Sequence, residues 1–156
     1  MKYSIKYLLI AVSICCVFAL IASSWINDPQ SRIQRLGVSI ESTKLGTCIH
    51  AEHLGDEALE ELVTQINRLD RVDALFLSGK TLTDNGFSKL ANLAGVTRLS
   101  LKGMSISSKS LKHIATINGL KYVHFTDCPH ISPTDIKSLR ETNEDLAVSS
   151  MTIRFK

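Results

Sequence analysis

The chain has 156 residues, which fits one domain plus a leader. Its 18 lysines and arginines against 15 acidic residues give a net charge of +3, and Lys2 and Lys6 supply two of those positives ahead of a hydrophobic segment, so the remainder stands near +1. That balance is no nucleic-acid footprint, which would need a clustered basic face.

From Tyr7 to Ile26 run 20 uncharged residues containing LLIAVSICCVFALIA. That length can cross a hydrocarbon core of ~30 Å, and Tyr3, Tyr7 and Trp25 bracket it where amphipathic aromatics settle. The two lysines favour a cytoplasmic N-terminus, which sends the rest of the chain across the membrane. A cleaved signal peptide also fits: Leu8 to Ala22 would be its apolar core, and Ala22-x-Ser24 a passable cleavage site before Trp25. The uncleaved anchor over residues 1–26 is the preferred reading, and either one exports the domain. Val12-Ser13-Ile14 places a bulky residue directly before Cys15, against a lipoprotein signal, so Cys15 and Cys16 read as members of an apolar helix.

Residues 27–53 read as a leader and N-terminal cap, marked by Ile33-x-x-Leu36-Gly37-x-x-Ile40. A strand is expected near Leu45 to His50. The segment Leu54-Gly55-Asp56-Glu57-Ala58-Leu59-Glu60-Glu61-Leu62 aligns with Leu82 to Leu90 at an offset of 28 and reads as a degenerate first repeat with a longer helix.

Three clearer units follow, beginning at Val72, Val96 and Leu120, each 24 residues after the last. In the first, Leu75-Phe76-Leu77 alternates like a strand with one buried face. Ser78-Gly79 then marks a turn, and Phe87, Leu90 and Leu93 have helical spacing. In the second, Leu99-Ser100-Leu101, Lys102-Gly103 and Leu111, Ile114, Ile117 repeat the pattern. The third has Val123, Phe125, Ile131, Ile136 and Leu139, with one residue inserted before Ile131. Helix starts fall at Asp84, at Ser107 or Ser108, and at Ser132 with Pro133 behind it. Expected repeat bounds are about 45–71, 72–95, 96–119 and 120–145, within a domain of 54–156 closed by a strand over 146–156. One such unit cannot bury its apolar side alone, so a fixed period in the twenties predicts stacked units sharing one core.

Val72-x-x-Leu75-x-Leu77-x-x-x-x-Leu82-Thr83-Asp84-x-Gly86-Phe87-x-x-Leu90 resembles the leucine-rich repeat in its form with a Thr-Asp-x-Gly helix start. The stretch Phe125-Thr126-Asp127-Cys128-Pro129-His130-Ile131-Ser132 resembles the cysteine-containing variant. In the second unit the helix start has decayed to Ser107-Ser108-Lys109-Ser110. The chain from about residue 33 onward is similar to short bacterial leucine-rich-repeat proteins. The resemblance implies an α/β fold, a short solenoid with a parallel sheet on its concave side and helices on its convex side. It also implies no enzymatic activity.

Outside the apolar segment only Cys48 and Cys128 remain. Three strand spacings would separate them by ~14 Å, about twice the reach of a disulfide, so two free thiols are expected, with Cys128 a buried turn residue. Gly79-Lys80-Thr81 follows a strand like the end of a phosphate-binding loop, yet Ala74 stands where that pattern needs glycine, and no helix is expected directly after Thr81. His124, Asp127, Cys128 and His130 are close in sequence, but His124 is expected to point out of the strand and Cys128 into the turn, so they diverge where zinc needs convergence. No Gly-x-Ser-x-Gly elbow occurs, and Asp84 and Asp135 read as helix-cap residues. Catalytic residues, metal ligands and cofactors are therefore not expected.

The strand residues facing away from the core would be Ala74, Phe76 and Ser78, then Arg98, Ser100 and Lys102, then Tyr122, His124 and Thr126. Within that face Phe76, Arg98, Ser100, Lys102, Tyr122 and His124 are the candidate binding residues, since aromatic and arginine side chains dominate interface energetics. The expected function is a non-catalytic interaction module held outside the cytoplasm through residues 7–26, with a protein as partner and neither nucleic acid nor a small-molecule cofactor. Two alternatives are a structural subunit of a membrane complex and a secreted binding domain released by cleavage.

Overall fold

Alternating strands and helices build two layers, one sheet and one row of helices. The structure, a computed structural model, describes residues 28–44 and 46–151. Its elements in chain order are α1 (Pro29–Arg35), β1 (Ser39–Thr43), β2 (Gly46–Glu52), α2 (Asp56–Ile66), β3 (Val72–Ser78), α3 (Asp84–Leu90), β4 (Val96–Lys102), α4 (Ser108–Ala115), β5 (Tyr122–Thr126), α5 (Pro133–Thr142) and β6 (Ala147–Met151). The six strands lie side by side in sequence order. β1 is antiparallel to β2, and every later neighbour is parallel. The fold is α/β with a mostly parallel sheet.

One core lies between the layers. Ile49, Leu75, Leu77, Leu99, Leu101, Val123 and Phe125 enter it from the strands, and Leu59, Leu62, Phe87, Leu90, Leu111, Ile114 and Leu139 from the helices. The 24-residue spacing is visible in the register, where Val72 pairs with Val96 and Leu75 with Leu99. Ile131 and Ile136, expected among the buried set, are only partly buried and pack against its edge.

Every parallel strand from β2 to β5 ends in the same way. Its next residue has a positive φ: His53 at 55°, Gly79 at 116°, Gly103 at 66° and Asp127 at 51°. That residue's N–H donates to the end of the neighbouring strand, at 2.8 Å for His53 to Ser78 O and 2.9 Å for Asp127 to Met151 O. Glycine adopts such a conformation without steric cost, and histidine and aspartate do not.

Helix starts are locked from one unit to the next. Thr83, Ser107 and Ser132 are the side-chain caps, and Ser132 with Asp135 forms a reciprocal capping box. Asp84, expected to be a cap itself, is instead the first helical residue, and its carboxylate accepts from Ser107 Oγ at 2.6 Å and Ser110 Oγ at 2.5 Å in the following unit. Asp56 has the same role in the preceding unit, accepting from Thr83 N at 3.0 Å and Thr83 Oγ1 at 2.5 Å. A Cβ at Gly86 would fall on Asp56 Oδ1, so the glycine of the Thr-Asp-x-Gly start makes room for the preceding carboxylate. At the equivalent place α4 has Ser110, whose hydroxyl replaces that backbone approach with a direct hydrogen bond.

The structure gives detail at the beginning of the sheet. The first unit's strand, expected near Leu45 to His50, runs from Gly46 to Glu52. Its 11-residue helix α2 is one turn longer than the 7-residue α3, while the connection before it is shorter, so strand and helix cannot share one alignment offset. In the leader, α1 is followed by an edge strand that makes a hairpin with β2. The hydrophobic segment of residues 7–26 lies outside the described residues, and among those described no helix is long and apolar enough to cross a membrane.

Candidate functional site

Helices cover one side of the sheet, and the side chains on the other side stand in ranks set by the register. Cys48, Ala74, Arg98, Tyr122 and Ala147 form one rank; His50, Phe76, Ser100, His124 and Ser149 the next; and Glu52, Ser78, Lys102, Thr126 and Met151 the third. All six sequence-named residues lie on this face. Phe76, Ser100 and His124 share the middle rank, Arg98 and Tyr122 the first, and Lys102 the third.

Phe76 and Tyr122 are two strands and one rank apart. Each ring has a different companion. Phe76 lies flat on His50, with centroids 4.4 Å apart and planes 2° from parallel. The Arg98 guanidinium sits 5.5 Å from the Tyr122 ring centroid, within cation–π range. His124 Nδ1 lies 2.7 Å from Ser149 Oγ. Phe76 keeps 37 % of its surface exposed, Tyr122 52 % and Met151 53 %.

Two hollows meet at Phe76 and Ser100. One, of ≈ 580 Å³, lies over the ends of β2 to β4 and is bordered by His50, His53, Lys80, Thr81 and Lys102. The other, of ≈ 380 Å³, lies over the middle of β3 to β6 and is bordered by Ala74, Arg98, Tyr122, His124 and Ser149. Both are open to solvent.

The residues set aside as chemistry have other work here. Thr81 Oγ1 donates to Leu54 O at 2.5 Å, Gly79 N–H donates to Lys102 O at 3.2 Å, and the next helix begins only at Asp84. The Gly79 amide and the Thr81 hydroxyl are thus joined to neighbouring chain, while Lys80 stays exposed. Cys128 is buried, with Sγ donating weakly toward Leu101 O at 3.6 Å and Thr126 O at 3.5 Å, whereas His124 is on the open face. Burial pushes the Cys128 thiol pKa upward. Cys48 and Cys128 are both free thiols; Cys48 lies on the open face three strands from β5. Among the described residues no three His, Cys, Asp or Glu side chains converge as metal ligands would.

No protein-family model and no curated protein matches this chain.

His50 and Ser149 extend the middle rank on both sides and were not among the sequence-named residues. Their signal was the period itself, since they lie 26 residues before Phe76 and 25 after His124. Neither interval equals 24, so a strict repeat passes over them.

Proposed function

We propose that this chain is a short leucine-rich-repeat interaction module, held outside the cytoplasm by residues 7–26, which binds a protein partner through the open strand face. The carrying observation is the asymmetry of the sheet. Its helix side is filled with aliphatic and aromatic side chains, while its open side leaves Phe76 and Tyr122 exposed within one patch. Exposed aromatic surface lowers solubility without a use, and concave sheet faces are where repeat proteins bind. The equal register of β3 with β4 and the carboxylate-to-cap bonds from unit to unit support the leucine-rich-repeat reading. The run LLIAVSICCVFALIA, with lysines before it, supports the membrane anchor.

Crosslinking in intact cells tests the module. Loss of the partner adduct on Phe76→Ala and Tyr122→Ala is expected. An undiminished adduct would transfer the contact to the helices or to the N-terminal segment. Intact mass of the membrane-bound product tests the anchor, because a species beginning near Trp25 would refute it.

A further inference from the structure

The middle rank of the open face contains a notch. Between Phe76 and His124 the intervening strand supplies only the hydroxymethyl group of Ser100. Two strand spacings separate the flanking residues by ~9.6 Å, with Ser100 as the floor. Both walls are braced from behind, Phe76 by the His50 ring at 4.4 Å and His124 by Ser149 Oγ at 2.7 Å. Walls held in this way lose little freedom when a ligand arrives, so less of the contact energy is spent on ordering them.

On β3 to β6 the charge around the notch has one sign, and Glu52 borders the adjoining hollow from β2. Arg98 and Lys102 stand two residues to either side of Ser100 on β4, ~7 Å along the strand in each direction. Both are exposed, and among the described residues neither belongs to an ion pair. The open face of β3 to β6 carries no Asp or Glu. Asp73, whose carboxyl feels Arg98, is already engaged by Arg71 at 2.7 Å and by the Thr47 amide at 3.0 Å. The acidic residues of the open face, Glu41 and Glu52, belong to β1 and β2 at its margin.

We propose that this notch receives an acidic peptide segment of the partner, with an aromatic side chain seated over Ser100 between Phe76 and His124 and carboxylates on Arg98 and Lys102. The inference rests on the strand-face reading above and names the chemistry of its partner. A ring suits the space because aromatic pairs settle with centroids ~4.5–7 Å apart, so one ring fits between two walls at this separation. A carboxylate suits the flanks because guanidinium and ammonium groups form their strongest hydrogen bonds with anions, while a basic segment would meet two unneutralised cations.

The test is selection from a short random-peptide phage library against the full-length chain in zwitterionic detergent. Enriched peptides should carry Phe, Tyr or Trp beside Asp or Glu. Synthetic copies should lose about tenfold in affinity on Ser100→Trp, which fills the notch, and about tenfold on the Arg98→Glu, Lys102→Glu double substitution. The charge reversals lie at exposed positions and keep the test decisive if Ser100→Trp does not fold. Neutral or basic peptides whose binding still depends on Ser100 would overturn the acidic partner and leave the strand-face reading standing. Peptides that bind wild type, Ser100→Trp and Phe76→Ala alike would overturn both. No enrichment at all would overturn this inference alone, because the crosslinking experiment tests the face independently.

Discussion

His50 and Phe76 stack in register across two parallel strands, rings 4.4 Å apart and 2° from parallel. The pair ties the first parallel strand, β2, to the repeated region of the sheet on its solvent side, where no helix helps. A double-mutant cycle of His50→Ala and Phe76→Ala in urea unfolding should give a coupling of about 0.5–1 kcal/mol, the usual worth of an aromatic cross-strand pair. Additive effects would mean that the stack contributes nothing in solution.

Gly86 is helical, yet alanine there should destabilise. Its Cβ would displace the Asp56 carboxylate from Thr83 and cost about 1–2 kcal/mol in lost hydrogen bonds. In an Asp56→Ala background the same Gly86→Ala change should become neutral or stabilising by up to ~1 kcal/mol, because only helix propensity remains. Reversal of sign between the two backgrounds, read by denaturant midpoints, is the expected result.

The left-handed residues at the strand ends should respond in opposite directions. His53→Gly and Asp127→Gly should each stabilise by about 0.5–1 kcal/mol by removing side-chain strain at φ 55° and 51°. Gly79→Ala should destabilise by about 1 kcal/mol or more, since at φ 116° its Cβ would also crowd the His53 backbone at 3.1 Å. Thermal unfolding of the three variants checks this.

Acid should weaken the molecule through its carboxylate-to-cap bonds. Hydrogen bonds from Ser107 and Ser110 hold the Asp84 carboxyl below its ordinary 3.8, and those from Ser132 do the same for Asp135. A folded-state pKa below the unfolded one contributes stability that is full above the unfolded value and disappears as pH falls through the folded one. Stability should therefore hold from neutral pH down to about 4 and decline below it. Asp84→Asn should be less stable at neutral pH and show a shallower decline in acid, measured as urea midpoints across that range.

The two thiols of the described domain should differ in reactivity. Iodoacetamide should label Cys48 in the folded protein and Cys128 only after denaturant is added, because Cys128 is buried and its pKa raised by that burial. Peptide mapping by mass spectrometry separates them from Cys15 and Cys16. Equal labelling rates would contradict the burial of the Cys128 turn.

Much of this architecture could be read from spacing. The 24-residue interval placed β3, β4 and their helices, because a strand and a helix behind it impose period two and then period 3.6 on the apolar residues. The same parity assigned Phe76, Arg98, Ser100, Lys102, Tyr122 and His124 to one face. Spacing was least informative where the units differ in length. The extra turn in α2 concealed the bounds of β2, and the polar strand β1, with few apolar residues to alternate, had no pattern to detect.

By itself, then, the sequence determined which residues face the core and which face solvent, since that follows from local periodicity alone. Only the tertiary structure decided which of the outward residues meet. Contact across a parallel sheet depends on register between segments some two dozen residues apart. That register is set by helix length and turn length together. The two extra residues between β2 and β3 move a neighbour by a whole rank, and the one extra residue between β5 and β6 changes which residue faces outward. This is why His50 came to support Phe76, Ser149 came to hold His124, and Ser100 was left as the open floor between them.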